Sequence, residues 1–553
     1  MPASPSPIRR GAPTHEVLNQ PPPLADYNLF AGDRALQEAV GREGAGWAMQ
    51  ELHALGTELG RAETIELGFA ANRHKPELHA FDRFGNRRDE IEFHPAWHGM
   101  MALGVRHGLH SSPWADPKPG AHVARAAGTY MLTQIESGAY CPIAMTYGSV
   151  PTLRRHAGLA AEWLPRIFSR DYDPCFRPAT EKTGALLGMG MTEKQGGSDL
   201  RANLTEAVPD GDAGTYRITG HKWFLSAPMC DAFLMLAQAP KGPSCFLVPR
   251  WTPDGERNGL RLQRLKDKLG NRSNASSEVE LVDAWGWLIG EEGRGIPIII
   301  EMSNLTRLDC AIGSAGLIRQ AVTQAIHHAR HRTAFQRKLV DQPVMMNVLA
   351  DLALESEAAT LLTLRLAAAY DRESDPAEAL LARLLTPVTK YWTCKRAPSV
   401  TLEALEVLGG NGYVEESIMP RLYREAPVNS VWEGSANVIC LDVRRVMGRS
   451  PETIDQLRAE LARARGGHAA FDVFLAGLED ELAAHATTEE ALARRLVGRI
   501  ALGLQAALLI RHAPAAMADA FCATRLEGGA PAALGTLPAG ADCRAIIERA
   551  AIA

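Results

Sequence analysis

The sequence predicts a mainly α-helical protein with a central antiparallel β domain. Apolar residues recur every three or four positions from about residue 35 to residue 167 and again after residue 295, which is the periodicity of packed helices. Between these regions, short runs of β-branched and aromatic residues are separated by Gly, Pro and Asn turns. Strands and helices do not alternate along the chain, so a Rossmann dinucleotide fold is not expected.

The length of 553 residues exceeds what a single hydrophobic core supports, so we expect several domains. The first segment is rich in proline and lacks the apolar stretch of a signal peptide, which predicts a disordered lead. The predicted divisions are a lead over 1–30, an N-terminal helical domain over 31–185, a β domain over 186–294, a helical bundle over 295–449 and an appended helical domain over 450–553.

Individual elements follow from the same patterns. No strand-like alternation persists before residue 167, so that region is expected to be wholly helical. The β-type runs predict a small antiparallel barrel or sandwich; they are 215–219, 233–237, 245–248, 260–262 and 278–281. The later apolar segments predict a bundle with helices at 296–331, 343–371, 377–395, 398–409 and 433–448.

Composition limits the possible functions. The net charge of -5 argues against a protein coated in positive charge, although it leaves room for a local basic groove. The nine cysteines are scattered without a CxxC pair, which indicates reduced core thiols in a cytoplasmic protein. No apolar tract approaches the roughly 20 residues that span a bilayer, so no membrane segment is expected. His327 and His331 have ligand spacing, but no third ligand accompanies them, and we expect no metal site.

Two segments carry the chemistry. In Trp432-Glu433-Gly434-Ser435, a carboxylate beside a flat aromatic suits a base that works next to a cofactor ring. The alternative is an exposed Glu at a helix start with a core Trp. Far upstream, residues 191–199 have the composition of a loop whose backbone and hydroxyls bind a polar ligand. Lys182, Lys194 and Lys222 lie near this loop in sequence and are expected to be solvated.

Six motifs in order identify a family resemblance. They are Thr192-Glu193-x-x-Gly196-Gly197-Ser198-Asp199, Gly220-His221-Lys222-Trp223-Phe224-Leu225-Ser226, Lys268-Leu269-Gly270-Asn271-Arg272-Ser273, Arg332-x-x-Phe335, Leu408-Gly409-Gly410-Asn411-Gly412-Tyr413 and Trp432-Glu433-Gly434-Ser435. Together they resemble the acyl-CoA dehydrogenase superfamily over about residues 30–448. The strings 94–98, 190–199, 265–276 and 420–425, and the additional region after Arg449, are similar to its AidB-like branch, the alkylation-response flavoproteins.

This resemblance implies an acyl-CoA dehydrogenase-like fold of helical, β-barrel and helical-bundle parts with an appended C-terminal helical domain. It also implies noncovalent FAD, an acyl-CoA or similar small substrate, and a homotetramer. The residues it assigns to the cofactor are Met189, Met191, Thr192, Gly197, Ser198, Phe224, Leu225, Ser226, Arg332, Phe335, Gly409, Gly410, Trp432, Ser435 and Asn437. It places Arg332 on the FAD of a neighbouring subunit, whereas a surface ion pair is the alternative. Gly409 and Gly410 could instead end a helix.

The resemblance also implies the catalytic roles. Glu433 matches the base that takes the α-proton while the β-hydride passes to flavin N5. Burial against Trp432 and the flavin is expected to raise the pKa of Glu433. Arg307 matches an arginine at the wall of the substrate site, with pairing to Asp309 or Glu301 as the alternative.

A second function remains open, because the AidB-like branch implies binding of double-stranded DNA in protection against alkylation. Residues 451–553 carry ten Arg and thirteen Asp or Glu, a net charge of -3. Arg445 matches a basic position of the branch and is the candidate DNA contact. The alternative is that these arginines pair with nearby acids, as Arg494 can with Glu490. A third hypothesis is a tetrameric scaffold in which FAD is only structural.

Overall fold

The structure is a computed structural model, and it describes residues 15–211, 214–484, 489–527 and 533–552. The N-terminal helices are α1 Arg34–Arg42, α2 Met49–Leu59, α3 Ala62–Arg73, α4 Pro95–Arg106, α5 Ser112–Ala115, α6 Ala121–Ile135, α7 Tyr140–Leu153 and α8 Ala157–Ile167. Nearly every residue of α6 and α7 is buried, since neighbouring elements cover them on all sides. The predicted helical texture of this region is confirmed for these segments.

A β-hairpin interrupts the helices, and the expectation of a wholly helical region is wrong there. It consists of β1 Glu77–Phe81 and β2 Arg87–Glu92. These strands are short and rich in charge, so they lack the apolar alternation that marks a strand in sequence. Tertiary hydrogen bonds hold the hairpin in place: Arg87 donates to the Leu262 carbonyl at 2.7 Å, and the Leu262 N–H donates to Asp89 at 2.8 Å.

A β-barrel forms the centre of the molecule, as predicted. Its strands are β3 Leu187–Gly190, β4 Glu206–Pro209, β5 Thr215–Ser226, β6 Ala232–Ala239, β7 Gly242–Pro249, β8 Leu260–Leu265 and β9 Ser276–Ile289. The pairing runs β4–β5–β9–β7–β6 and returns to β4, so the sheet closes on itself. The barrel is not wholly antiparallel, because β6 pairs in parallel with β3 and β4. Long connections between these strands permit the parallel pairing.

The helical bundle after the barrel is built from long buried helices. Its elements are α9 Gly295–His331, the short strands β10 Thr333–Ala334 and β11 Arg337–Lys338, α10 Pro343–Asp371, α11 Pro376–Val407, α12 Gly410–Tyr413, α13 Met419–Glu425 and α14 Ala436–Arg449. The predicted break between residues 395 and 398 is wrong, since α11 continues through Pro398. Burial of α11 against α9, α10 and α14 outweighs the local cost of proline in a helix.

The appended region packs on the bundle through buried charges. Its helices are α15 Glu452–Ala462, α16 Ala469–Ala483, α17 Ala493–His512, α18 Ala515–Arg525 and α19 Cys543–Ala550. Arg525 of α18 is 2% exposed and pairs with Asp351 and Glu355 of α10. Arg549 of α19 pairs with Glu357, which also belongs to α10, at 2.8 Å. Because buried charges need their partners, these contacts fix how the region docks.

Part of the segment expected to be a disordered lead has defined contacts. Residues 1–14 lie outside the described residues. Further along, Leu29 and Phe30 are buried, and the Asn19 side chain exchanges hydrogen bonds of 2.7 and 2.8 Å with the backbone of Thr333. The segment 15–30 therefore lies along the end of α9, which sequence periodicity alone does not indicate.

All nine cysteines are free, and seven of them are buried as expected, whereas Cys175 is exposed and Cys543 partly so. None of the helices in the described ranges is both long and apolar enough to cross a bilayer. Among the same residues, no three His, Cys, Asp or Glu side chains are grouped to hold a metal ion. His327 and His331 instead bond to backbone carbonyls of Pro22 and His327.

The buried Arg525 contacts predict a large stability loss on substitution. Arg525→Met leaves two carboxylates without their shared cation, which we expect to cost about 3–5 kcal/mol in free energy of unfolding. Arg544→Met is the matched control, because its ion pair with Asp341 is exposed and contributes about 0–1 kcal/mol. Urea unfolding followed by circular dichroism measures both variants. Equal losses in the two would contradict the docking role of Arg525.

Candidate active site

One large cavity brings together most of the predicted site residues. It has a volume of 1610 Å³, which exceeds the roughly 300–1,000 Å³ of a typical small-molecule pocket. The walls come from the loop after β3, the end of β5, α9 and the turn before α14. The predicted residues that line it are Met189, Met191, Thr192, Gly197, Ser198, Phe224, Ser226, Arg307, Trp432, Glu433, Ser435 and Arg445.

The remaining predicted residues do not line this cavity. Leu225 is fully buried in the barrel, and Asn437 is exposed near the start of α14. The others follow the ends of α9 and α11 and are Arg332, Phe335, Gly409 and Gly410. Arg332 donates to the backbone carbonyl of Asn19 at 2.6 Å. This contact is not the surface ion pair that was the alternative to a cofactor role for Arg332. Phe335 is 95% exposed.

A buried ion pair supports the ligand loop at residues 191–199. Glu193 and Lys222 have fully buried side chains and lie 2.7 Å apart. The Glu193 carboxylate also accepts from the backbone N–H groups of Leu204 and Thr205. Burial acts to raise the pKa of Glu193, but the Lys222 ammonium and these hydrogen bonds outweigh it and lower the pKa to about 2. The loop is therefore held by a charge that stays ionised at any working pH.

The loop folds back tightly on itself at Gly197. A Cβ atom at this position would lie 2.4 Å from the Thr192 hydroxyl oxygen, which is too close for any side chain. Glycine here allows Thr192 and the backbone of residues 197 and 198 to face the same cavity. The arrangement suits a ligand that approaches the main chain closely.

Two cationic side chains hold the backbone of the turn that contains Glu433. Its φ is 58° and that of Gly434 is 104°, a left-handed conformation that is rare for a residue with a side chain. Lys390 of α11 donates to the carbonyls of Trp432 at 2.9 Å and Gly434 at 2.5 Å. Arg307 of α9 donates to the Glu433 carbonyl at 2.9 Å. Three consecutive carbonyls are thus fixed from two helices, which keeps the Glu433 side chain at the cavity.

The surroundings of Glu433 raise its pKa, so the carboxylate binds a proton more readily than a solvated one. Its Oε2 atom is buried and has no hydrogen-bond partner among the described residues. Burial raises the pKa of Glu433, against the lowering effects of the Thr306 hydroxyl and the cations of Arg307 and Lys390. A buried acceptor without a partner is costly unless a ligand or reaction uses it.

Arg307 pairs with an acid that the sequence did not indicate. It lies 3.1 Å from Asp442 of α14. The alternatives of Asp309 and Glu301 are wrong, because Asp309 pairs with Arg125 at 2.6 Å and Glu301 pairs with Arg155. Arg307 therefore joins the backbone of Glu433 to the first half of α14.

Sequence reasoning missed the groups that position the site. Lys390 was not identified, although a lysine inside the apolar stretch of α11 is a usable signal. Lys222 and Lys182 were expected to be solvated, but both are buried, and Lys182 pairs with Asp231 at 2.7 Å. Only Lys194 is exposed as expected. Periodicity shows which positions are buried but does not show which distant acid meets a buried lysine.

Family models cover most of the chain. The adaptive response protein AidB N-terminal domain matches residues 19–174, the acyl-CoA dehydrogenase middle domain matches 188–284, and the acyl-CoA dehydrogenase C-terminal domain matches 293–448. AidB of Escherichia coli (strain K12), named as an acyl-CoA dehydrogenase, is 48% identical over 93% of this chain and 95% of its own length.

Solved structures agree with these matches. Caenorhabditis elegans ACDH-11 in complex with C11-CoA has a TM-score of 0.82 and 28% identity, covering 93% of each chain. An acyl-CoA dehydrogenase from Bacillus anthracis complexed with FAD shares the fold at a TM-score of 0.64 and 17% identity, covering 77% of this chain and 80% of its own. The chain belongs to the AidB-like branch of the acyl-CoA dehydrogenase family of oxidoreductases.

Proposed function

We propose that the chain binds FAD and oxidises an acyl-CoA thioester at its α,β carbon–carbon bond, with Glu433 as the base. The observation that carries the proposal is the Glu433 carboxylate: its Oε2 is buried and without a partner among the described residues, and Glu433 lines the same cavity as the loop at 191–199. A base needs such a position, because a solvated carboxylate with an ordinary pKa removes a carbon-bound proton poorly.

The cavity residues fit the proposed cofactor. Met189, Met191 and Phe224 offer apolar surface to a flat ring, and the hydroxyls of Thr192 and Ser226 offer donors to its polar edge. Gly197 and Ser198 let a phosphate approach the backbone. When bound, FAD would accept the β-hydride, which carries the electron pair removed from the substrate.

The protein's own residues account for the proton. The α-proton passes to the Glu433 carboxylate as the hydride leaves the β-carbon, so a double bond forms and charge is balanced. Arg307 binds the carbonyl of Glu433 itself and Lys390 binds the carbonyls on either side of it, which keeps the carboxylate in place. Trp432 and residues of α9 line the cavity together with Glu433.

We further infer that Arg332, Phe335, Gly409 and Gly410 serve the cofactor of a neighbouring subunit in a homotetramer. Support comes from their position away from the cavity of their own chain. Phe335 itself is exposed, and so are two large apolar side chains nearby in the sequence, Val344 and Tyr413. Such surface is typical of an interface between subunits.

The contacts of the appended region do not favour DNA binding as the main function. Nine of its ten arginines lie in ion pairs; they are Arg458, Arg463, Arg465, Arg495, Arg499, Arg511, Arg525, Arg544 and Arg549. Arg494 bonds to the Tyr391 hydroxyl, not to Glu490 as the sequence indicated. Paired arginines neutralise the positive stripe that a duplex requires. A purely structural scaffold does not explain the buried Oε2 of Glu433, which has no hydrogen-bond partner among the described residues.

Glu433→Gln tests the proposal directly, since the amide keeps the shape of the side chain and cannot take the proton. We expect bleaching of the oxidised flavin band by acyl-CoA to slow by at least about a hundredfold. Glu416→Gln, an exposed change in the same region, is the matched control. The measurement is anaerobic stopped-flow absorbance with a panel of acyl-CoA esters. Bleaching by Glu433→Gln at the rate of the control would remove Glu433 from the reaction.

The pKa of Glu433 predicts a pH dependence. The ionised carboxylate is the active form, so kcat/KM falls as pH drops through the raised pKa of Glu433. Lys390 lowers that pKa, and Lys390→Met should therefore move the acid limb of the profile to higher pH. Lys395→Met, an exposed change on the same helix, should leave the limb in place. A shift of the Lys390→Met limb to lower pH would contradict the assignment.

A further inference from the structure

The loop between β8 and β9 places a lysine at the wall of the cavity. Lys268 belongs to one of the six motifs of the family resemblance, and its side chain lines the cavity. Its Nζ donates to the Asn274 carbonyl at 2.5 Å and to Oγ of Ser276 at 3.0 Å. Two of its three donors are therefore used within the protein. Burial lowers the pKa of Lys268 to about 8, so the group carries its charge at pH 7.

Ser276 links this lysine to a residue that is predicted to bind the flavin. Ser226 at the end of β5 and Ser276 at the start of β9 are direct cross-strand partners, so their side chains share one face of the sheet. Their hydroxyl oxygens lie 3.3 Å apart, and both residues line the cavity. Lys268, Ser276 and Ser226 form a chain of hydrogen bonds, which we call the Lys268 relay.

The lysine end sets the direction of the Lys268 relay. An ammonium group can only donate, so the Ser276 oxygen accepts from Lys268. Among the residues that the structure describes, Ser226 is the other hydrogen-bond partner of the Ser276 side chain. The Ser276 hydrogen therefore finds its acceptor in Ser226, because a buried hydroxyl without an acceptor is unfavourable. The Ser226 hydrogen is then free to point into the cavity as a donor.

The thiol of Cys141 is a weak competitor for that hydrogen. It belongs to α7 and lies near both Lys268 and Ser226. Burial raises the pKa of Cys141 to about 12, so the group stays a neutral thiol. Because thiol sulfur is a weak acceptor, a polar ligand in the cavity offers the Ser226 hydroxyl the stronger hydrogen bond.

We propose that Lys268, acting through Ser276, fixes Ser226 as a hydrogen-bond donor to bound FAD and stabilises the negative charge that the flavin ring gains on reduction. The inference rests on the proposed function and deepens it, because it assigns a positioning residue that sets the reduction potential of the cofactor. A donor and a nearby cation both favour the reduced ring. The electron pair still comes from the substrate with the hydride, and Lys268 gives up no proton.

The test measures the reduction potential of the flavin at pH 7, by equilibrating the purified, FAD-loaded protein with a dye of known potential. Lys268→Met removes the charge and the donor, whereas Lys268→Arg keeps both. Ser276→Ala breaks the relay and leaves the charge in place. Ser277→Ala is its matched control, since this buried hydroxyl is the next residue in β9 and donates to the Leu225 carbonyl. Lys241→Met, whose side chain is 76% exposed, controls for the loss of a lysine.

We expect the ratio of reduced to oxidised flavin in Lys268→Met to fall about tenfold at a given solution potential, which is about 30 mV for a two-electron couple. Ser276→Ala should give a smaller fall of about threefold, because the charge remains and only the direction of the Ser226 hydroxyl is lost. The potential of Lys268→Arg should stay close to that of the wild type, and both controls should match the wild type.

Two results would contradict the inference. If Lys268→Met binds FAD with the wild-type potential, the lysine serves only to hold its loop. If Ser276→Ala has the same potential as Ser277→Ala, the relay through Ser276 is wrong, and this comparison decides alone should Lys268→Met fail to fold. Failure of the proposed function looks different, since the wild type would then keep its oxidised flavin band with every acyl-CoA ester while the potentials of the variants still differ.

Discussion

The site depends on hydrogen bonds from two cationic side chains to three consecutive backbone carbonyls. Lys390 from α11 and Arg307 from α9 bind the backbone of residues 432–434, where Glu433 has a left-handed conformation. That conformation is unfavourable for a residue with a Cβ, and it persists because both helices enforce it. The helices are long and buried, so their positions are fixed by the core. The bundle therefore holds the backbone of Glu433, the proposed base, in one conformation.

Buried ion pairs are used in the same way elsewhere in the chain. Glu193 and Lys222 fix the ligand loop to the barrel, and Arg525 fixes the appended helices to α10. Each pair costs desolvation, and a well-packed apolar pair could be as stable. What the pairs add is a single geometry, because a buried charge has few acceptable partners. The cavity wall, the loop at 191–199 and Glu433 are thereby placed relative to one another by directional contacts.

Much of the fold was predictable, because it depends on local periodicity. The long helices of the bundle and most strands of the barrel follow directly from apolar spacing. The failures have a common cause. The hairpin at β1 and β2 and the continuous α11 contradict their local sequence, and both are stabilised by contacts with distant elements. For the site, the motifs predicted Glu433 and the loop at 191–199 as the functional residues, and twelve of the predicted residues line one cavity. The motifs did not identify Lys390, Asp442 or the partner of Lys222.

The sequence by itself determined the family, the order of helical and β regions, and most of the predicted residues that line the cavity, because these depend on adjacent residues and regular spacing. Only the tertiary structure decided which charges meet. Arg307 had two acids within six residues of it and pairs with neither, because the helix turns those acids toward Arg125 and Arg155. Pairing depends on the direction in which a side chain leaves its helix and on what the core places opposite. That information belongs to the packed molecule and not to any local stretch of the chain.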